Sequence, residues 1–405
     1  MRGMSDVRVE GPLAPYASGF GACLAERGYR PRSAVVQLRL LADLSRWMAG
    51  EGLVPVALGA EETVRFLRAR RERYVDLTGG RALGPLLGYL RGLGAVPEPE
   101  RSADSPVERL LVDYHEYLVR ERGLMVSSVE GHQRVARLFL AGLAVPLEES
   151  LRGLEAGDVT GFVVAQCRSG RLGAGAAKSL TGGLRSLFCY LHVAGWVEAG
   201  LEQAVPSVAG WRLSSLPRGL PAGEVGRLLA GCDRSTPVGR RDSAILTLLS
   251  RLGLRACEVA RLSLDDIDWR AGELTVRGKG STIERLPLPH DVGEAVVAYL
   301  RDGRPVSSGV REVFLSARAP LRELSSAAVT AVVRYACDRA AVERVGAHRL
   351  RHTLATELLR AGAPLAEIAP ILRHADVSTT AIYAKVDREA LRTLARPWPL
   401  PEGAA

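Results

Sequence analysis

Apolar residues recur at helical spacing through roughly the first 200 positions of the chain. Leu110, Leu111, Tyr114, Tyr117 and Leu118 fall three and four apart, as do Val135, Leu138, Phe139 and Leu143, so each set lines one side of a helix. The period-two alternation of a half-buried strand is hard to find there. The same stretch contains two related halves. Glu26-Arg27-Gly28 returns as Glu121-Arg122-Gly123, with Ser33 and Arg39 answered at the same offsets by Ser128 and Arg134. Leu77-Thr78-Gly79-Gly80 with Leu87-Gly88-Tyr89-Leu90 is echoed by Leu180-Thr181-Gly182-Gly183 with Phe188-Cys189-Tyr190-Leu191. The repetition predicts two helical modules, roughly 12–97 and 105–200. Val96-Pro97-Glu98-Pro99-Glu100 between them, and the Pro, Gly and Ser-rich stretch from Val205 to Pro221 after them, read as linkers.

From about Arg218 the pattern is mixed. Helical segments at 224–232, 240–253 and about 256–263 precede a strand pair, Glu273 to Val276 and Ile283 to Leu288. The turn Arg277-Gly278-Lys279-Gly280 joins the two strands. Further helices are predicted at about 291–300, 324–340, 347–361 and 364–373, with a last pair around Tyr383 and over 387–395. The expected fold class is mainly α with one small antiparallel β-sheet, confined to a third unit spanning 218–400.

Composition narrows the partners. With 405 residues, the chain is long enough for two or three cores without disulfides or metals. A formal charge of +9 favours a polyanion such as nucleic acid over an acidic small substrate. Of the 54 basic residues only Lys178, Lys279 and Lys385 are lysine, so each retained lysine raises the question of what arginine would fail to do there. The 6 cysteines lie far apart with no C-x-x-C pair, as expected of a reduced cytoplasmic protein. No apolar run resembles a signal peptide or a membrane span.

Within the third unit His348, Arg351 and His352 fall in one sector of a helix while Leu350, Leu354 and Leu358 point largely away. Alone, this pattern fits a solvated cationic face with buried histidines. The i, i+4 spacing of His348 and His352 also fits a zinc pair, but the motif has no glutamate at its second position and no cysteine pair nearby, so no metal is expected. Breaking a DNA phosphodiester without metal requires a nucleophile, cations on the non-bridging oxygens and an acid for the leaving oxygen. Arg255, Lys279, His348, Arg351, His374 and Tyr383 supply candidates for every role.

Taken in order, G-L-R-A-C-E around Arg255, G-K-G-S-T-I-E-R around Lys279, H-R-L-R-H-T-L-A-T from His348 and L-R-H-A-D-V-S-T-T-A-I-Y from Leu372 resemble the signature of the tyrosine recombinases, the phage integrase family. The resemblance covers the third unit and, more loosely, the second module. It implies that Arg255 and Arg351 clamp the scissile phosphate, Lys279 protonates the 5′ oxygen, His348 assists proton transfer and His374 hydrogen-bonds the phosphate. Tyr383 then attacks to give a 3′-phosphotyrosyl link, with no cofactor, ATP or metal. Glu258 matches an acidic family position that orients the arginine. The resemblance further implies a SAM-like core-binding module that forms, with the catalytic domain, a clamp around double-stranded DNA. It also implies a homo-oligomer on DNA, a tetramer in the synaptic complex, with companion recombinases in some systems. A cytoplasmic, nucleoid-associated protein follows.

Lys178 and Arg185 in the second module, together with Arg285 and Arg373, are candidate DNA contacts. The first module is expected to add DNA or subunit contact, and its run Arg65, Arg68, Arg70, Arg71 and Arg73 suits either phosphate or simple solvation. Relatives pass a C-terminal helix to a neighbouring subunit, which would suit the segment from Asp387 to Leu394 and the following Trp398. Two departures from the family pattern stand out: Arg373 replaces a glycine common just before the second histidine, and Pro370 interrupts the preceding helix. Alternatives sharing the fold are a type IB topoisomerase, which lacks the separate N-terminal modules, and a non-catalytic DNA-binding relative, which has no need of the full reactive set.

Overall fold

Among the described residues three stretches of apolar periodicity bury three large cores, with a small fourth cluster around Ala355, Ile368 and Leu372. The computed structural model describes residues 7–373 except 75, 78, 99–104, 169, 171, 198–199, 209–218, 279–281 and 307–308. The chain divides into two compact units, one formed by Met1–Val96 with Leu213–Ala405 and the other by Pro97–Arg212.

The N-terminal part of the first unit holds α1 (Ala17–Glu26), α2 (Pro31–Gly50), α3 (Ala60–Arg71) and α4 (Gly80–Gly92). Leu24, Leu41, Leu83 and Leu90 meet in its core, as the spacing along each amphipathic helix requires. The arginine run of α3 is partly structural. Arg70 is buried against Asp43 with its guanidinium 4.3 Å from the Tyr74 ring centroid, and Arg65 bonds Glu51.

The second unit contains α5 (Pro106–Glu116), α6 (Val126–Leu140), α7 (Leu147–Arg152), α8 (Ala156–Arg168) and α9 (Ala174–Val193). Leu110, Leu118, Phe139, Leu184, Leu187 and Phe188 form its core. Tyr114 belongs to it as well, donating to Ser186 Oγ at 3.0 Å, and burial pushes the Tyr114 phenol up to about 12.

The C-terminal part of the first unit is built around α11 (Pro237–Arg251), flanked by α10 (Glu224–Ala230) and α12 (Ala256–Arg261). Ala244, Ile245, Leu248 and Leu249 on α11 are wholly buried, and Asp242, Ser243, Thr247 and Ser250 are buried with them. Thr247 and Ser250 donate back to the carbonyls of Ser243 and Leu246 at 2.8 and 2.7 Å, so that a helix packed on every side leaves neither hydroxyl unpaired. Strands β1 (Ile267–Asp268), β2 (Glu273–Arg277) and β3 (Ile283–Pro287) pair antiparallel in that order, with Thr275 opposite Arg285. Leu274 and Val276 face the core while the intervening residues of β2 face out, as period two dictates. Then follow α13 (His290–Asp302), α14 (Ser326–Ala340), α15 (Ala347–Arg360) and α16 (Leu365–Ile371).

The predicted elements of this part appear within a few residues of their expected ends. The two-residue β1 is too short to leave a pattern. Pro370 does not break α16 early: the helix ends one residue beyond it. The final helix pair expected around Tyr383 and 387–395, and Trp398, lie outside the described residues.

Candidate active site

The turn after α11 organises the site. Gly253 takes φ +57°, a left-handed conformation that costs an L-residue but not glycine. A Cβ there would sit 3.0 Å from Leu354 Cδ2 and 3.2 Å from Leu372 Cδ2. The chain can therefore reverse tightly between α11 and α12 only because this position has no side chain. Two residues on, Arg255 precedes α12, and its backbone N–H donates to Glu258 Oε2 at 2.8 Å. This ties off one of the free N–H groups at the helix start. The Arg255 side chain donates from Nη1 to Glu258 Oε1 at 2.6 Å and from Nη2 to the Arg373 carbonyl at 3.2 Å. About a third of it, 34%, remains exposed, which leaves part of the fork accessible to a ligand.

Arg351 lies on α15, one turn from its start, and is only 1% exposed. Its Nη1 donates to the Gly253 carbonyl at 2.5 Å, so the turn that presents Arg255 also holds Arg351. His348 occupies the first turn of the same helix, its ring edge-on to His352 with centroids 4.4 Å apart. The His348 ring is held below the usual imidazole range, first by desolvation and then by the nearby Arg351 and Arg255 cations. The shift favours the neutral ring, in which one nitrogen can accept a proton. Among the described residues no group of three or more His, Cys, Asp or Glu side chains is arranged to hold a metal ion.

Glu258 is 5% exposed. Burial opposes its ionisation, yet the bonds and charges of Arg255 and Arg373 outweigh that and hold its carboxyl below the usual range. Thus Arg255, Glu258, His348 and Arg351, distant in sequence, are brought together. Gly278 N–H donates to the Thr282 carbonyl at 2.8 Å, closing the connection between β2 and β3. Lys279 lies outside the described residues, as do His374 and Tyr383.

The candidate DNA contacts fall in different settings. Lys178 is exposed on α9. Arg185, on the same helix, donates to the Val205 and Pro206 carbonyls at 2.9 and 3.2 Å, so it fixes the segment leaving its unit. Arg285 is 77% exposed on β3, 3.7 Å from Glu273. Arg373 differs from the expected exposed contact: its side chain is 4% exposed, and its Nη donors are engaged by Glu258 and by the carbonyls of Leu252, Gly253 and Ile371. The sequence signal for this was the unusual residue at a helix end, which charge alone made look like a surface contact.

Residues 218–390 match the family model described as the phage integrase family. An integrase/recombinase of Sinorhizobium fredii is 42% identical over 395 residues, covering 96% of this chain and 95% of the relative. The chain belongs to the tyrosine recombinases of the phage integrase family. Tyrosine recombinase XerD of Mycobacterium tuberculosis is 34% identical over 298 residues, covering 70% of this chain and 94% of that protein. Among solved structures, a dimer of lambda integrase residues 75–356 bound to a core site shares the fold. Its TM-score is 0.52 at 18% identity, over 73% of this chain and 99% of that one. No helix among the described residues is long and apolar enough to cross a membrane.

Proposed function

We propose that this recombinase cleaves and rejoins double-stranded DNA at a specific site through a 3′-phosphotyrosyl intermediate on Tyr383. The observation that carries the reading is the convergence of Arg255 and Arg351 on the Gly253 turn beside His348. Two guanidiniums and a proton acceptor at one place suit a phosphate on which charge builds up during attack. In the proposed step the Tyr383 phenol oxygen bonds to phosphorus, its proton passing to His348. The 5′ oxygen leaves with a proton from Lys279, and His374 donates to a phosphate oxygen. The 5′ hydroxyl of a second strand reverses the sequence and frees the tyrosine, so the bond energy is conserved without ATP.

Glu258 keeps Arg255 oriented in this scheme. Lys178 and Arg285 are assigned to backbone phosphate in this reading, which their exposure on α9 and β3 supports. The reading further assigns a tetramer on two DNA sites and, for the first module, accessory DNA or subunit contact.

The test is covalent trapping. Wild type and Tyr383→Phe are incubated with nicked duplexes drawn from the flanks of the protein's own gene, and denaturant-resistant protein–DNA species are resolved. An adduct formed by wild type only, at a reproducible position, is expected. Equal adduct from both proteins removes Tyr383 as nucleophile.

A further inference from the structure

Arg373 follows α16 in a conformation that side chains avoid. Its φ is +52°, at the position just past a helix end where glycine is the usual choice because a Cβ is crowded there. The side chain is nonetheless buried, and both Nη atoms are hydrogen-bonded while Nε makes no hydrogen bond. Nη2 donates to Glu258 Oε2 at 2.8 Å and reaches the Gly253 carbonyl at 3.4 Å. Nη1 reaches the carbonyls of Leu252 and Ile371 at 3.4 and 3.3 Å. Nε lies 3.8 Å from Glu284 on β3, the strand that follows the hairpin tip. In return the Arg373 carbonyl accepts the Nη2 bond of Arg255.

The Glu258 carboxylate is therefore shared between two guanidiniums, Oε1 taking Arg255 and Oε2 taking Arg373. Arg255 is held by that carboxylate and, separately, by the backbone of Arg373. A buried cation is stabilised where its charge and donors are met, and here the charge and the Nη donors are met by Glu258 and by the Leu252–Gly253 turn, the groups that set the position of Arg255. The strained backbone is kept because those bonds overdetermine it.

We propose that Arg373 is a positioning residue for Arg255: it fixes Glu258 and the Leu252–Gly253 turn, so that the exposed edge of Arg255 is preset for the scissile phosphate. The proposal rests on the reading of Arg255 as a phosphate ligand. Arg373 itself makes no DNA contact in this scheme.

The experiment uses the full chain on the nicked duplex that traps wild type. It measures equilibrium DNA binding and the single-turnover rate of adduct formation separately. Arg373→Gly, which suits the left-handed backbone, is expected to bind as wild type does but to form adduct about 10²-fold more slowly, the scale of a small misplacement of a reacting group. Arg373→Lys, which keeps the charge beside Glu258 but not the fork, is expected to recover part of the rate. Combining Arg373→Gly with Glu258→Gln is expected to be little slower than the slower single variant, since both act through one network.

A wild-type rate in Arg373→Gly overturns the proposal, and so does a parallel loss of binding and rate, which would make Arg373 a DNA contact. Should Arg373→Gly not fold, Arg373→Met, which occupies the space without the charge, takes its place with the same expectations. If neither folds, the role is structural and the proposal fails. A wild type that forms no adduct removes the catalytic reading itself. The link between Arg373 and Glu258 is then read from a denaturation double-mutant cycle, where zero coupling overturns the clamp.

Discussion

At the scale of single residues, the site depends on a position with no side chain. Gly253 supplies the carbonyl that receives Arg351 and Arg373 and the left-handed turn that presents Arg255. Gly253→Ala forces that backbone on an L-residue and presses on Leu354 and Leu372. The expected loss of stability is about 1–2 kcal/mol, read by chemical denaturation, with adduct formation falling more than DNA binding. An unchanged unfolding midpoint together with full cleavage would refute this account of the turn. The family motif singled out Arg255, Glu258, His348 and Arg351 because their chemistry and order are distinctive. The same motif said nothing of Gly253 as an acceptor, since a carbonyl is present at every position and only the fold selects one. Arg373 was visible as an anomaly, but its direction was not legible, because a guanidinium reads alike on a surface and inside a carboxylate network.

At the scale of elements, apolar spacing carried most of the architecture. The helices of the C-terminal part appear near their predicted limits because amphipathic periodicity and burial agree along them. What spacing left out were short pieces, such as β1 and the four-residue turn of helix over Leu201–Ala204, each too brief to show a period. On α9 two basic residues that look equivalent in sequence sit in different surroundings. Lys178 is exposed, while Arg185 bonds the carbonyls of Val205 and Pro206. Lys178→Ala is therefore expected to lower the slope of log affinity against log salt by about 1, whereas Arg185→Ala leaves the slope nearly unchanged and lowers the melting temperature. Binding titrations across a salt series, paired with thermal melts, distinguish the two; identical slopes for wild type and Lys178→Ala would remove Lys178 from the interface.

At the scale of the whole molecule, charge and chain order suggested a basic protein of several modules, and three large cores are found among the described residues. Spacing alone did not reveal the grouping of the N-terminal module with the C-terminal part, because that grouping arises from few contacts between distant segments. One of them is the 3.0 Å bond from Leu321 N–H to the Arg27 carbonyl. Residues 97–212, which carry their own apolar core, are expected to fold cooperatively when produced alone, with a single unfolding transition by circular dichroism; a fragment without a transition would show that this core depends on the rest. The division of the chain also bears on how such a protein changes over time. Every described candidate for the cleavage chemistry lies in the unit built from the two ends of the chain, and the other unit is an insertion between them. Because that unit is one unbroken stretch of gene, it can be removed or exchanged as a single segment without dividing the residues of the candidate site.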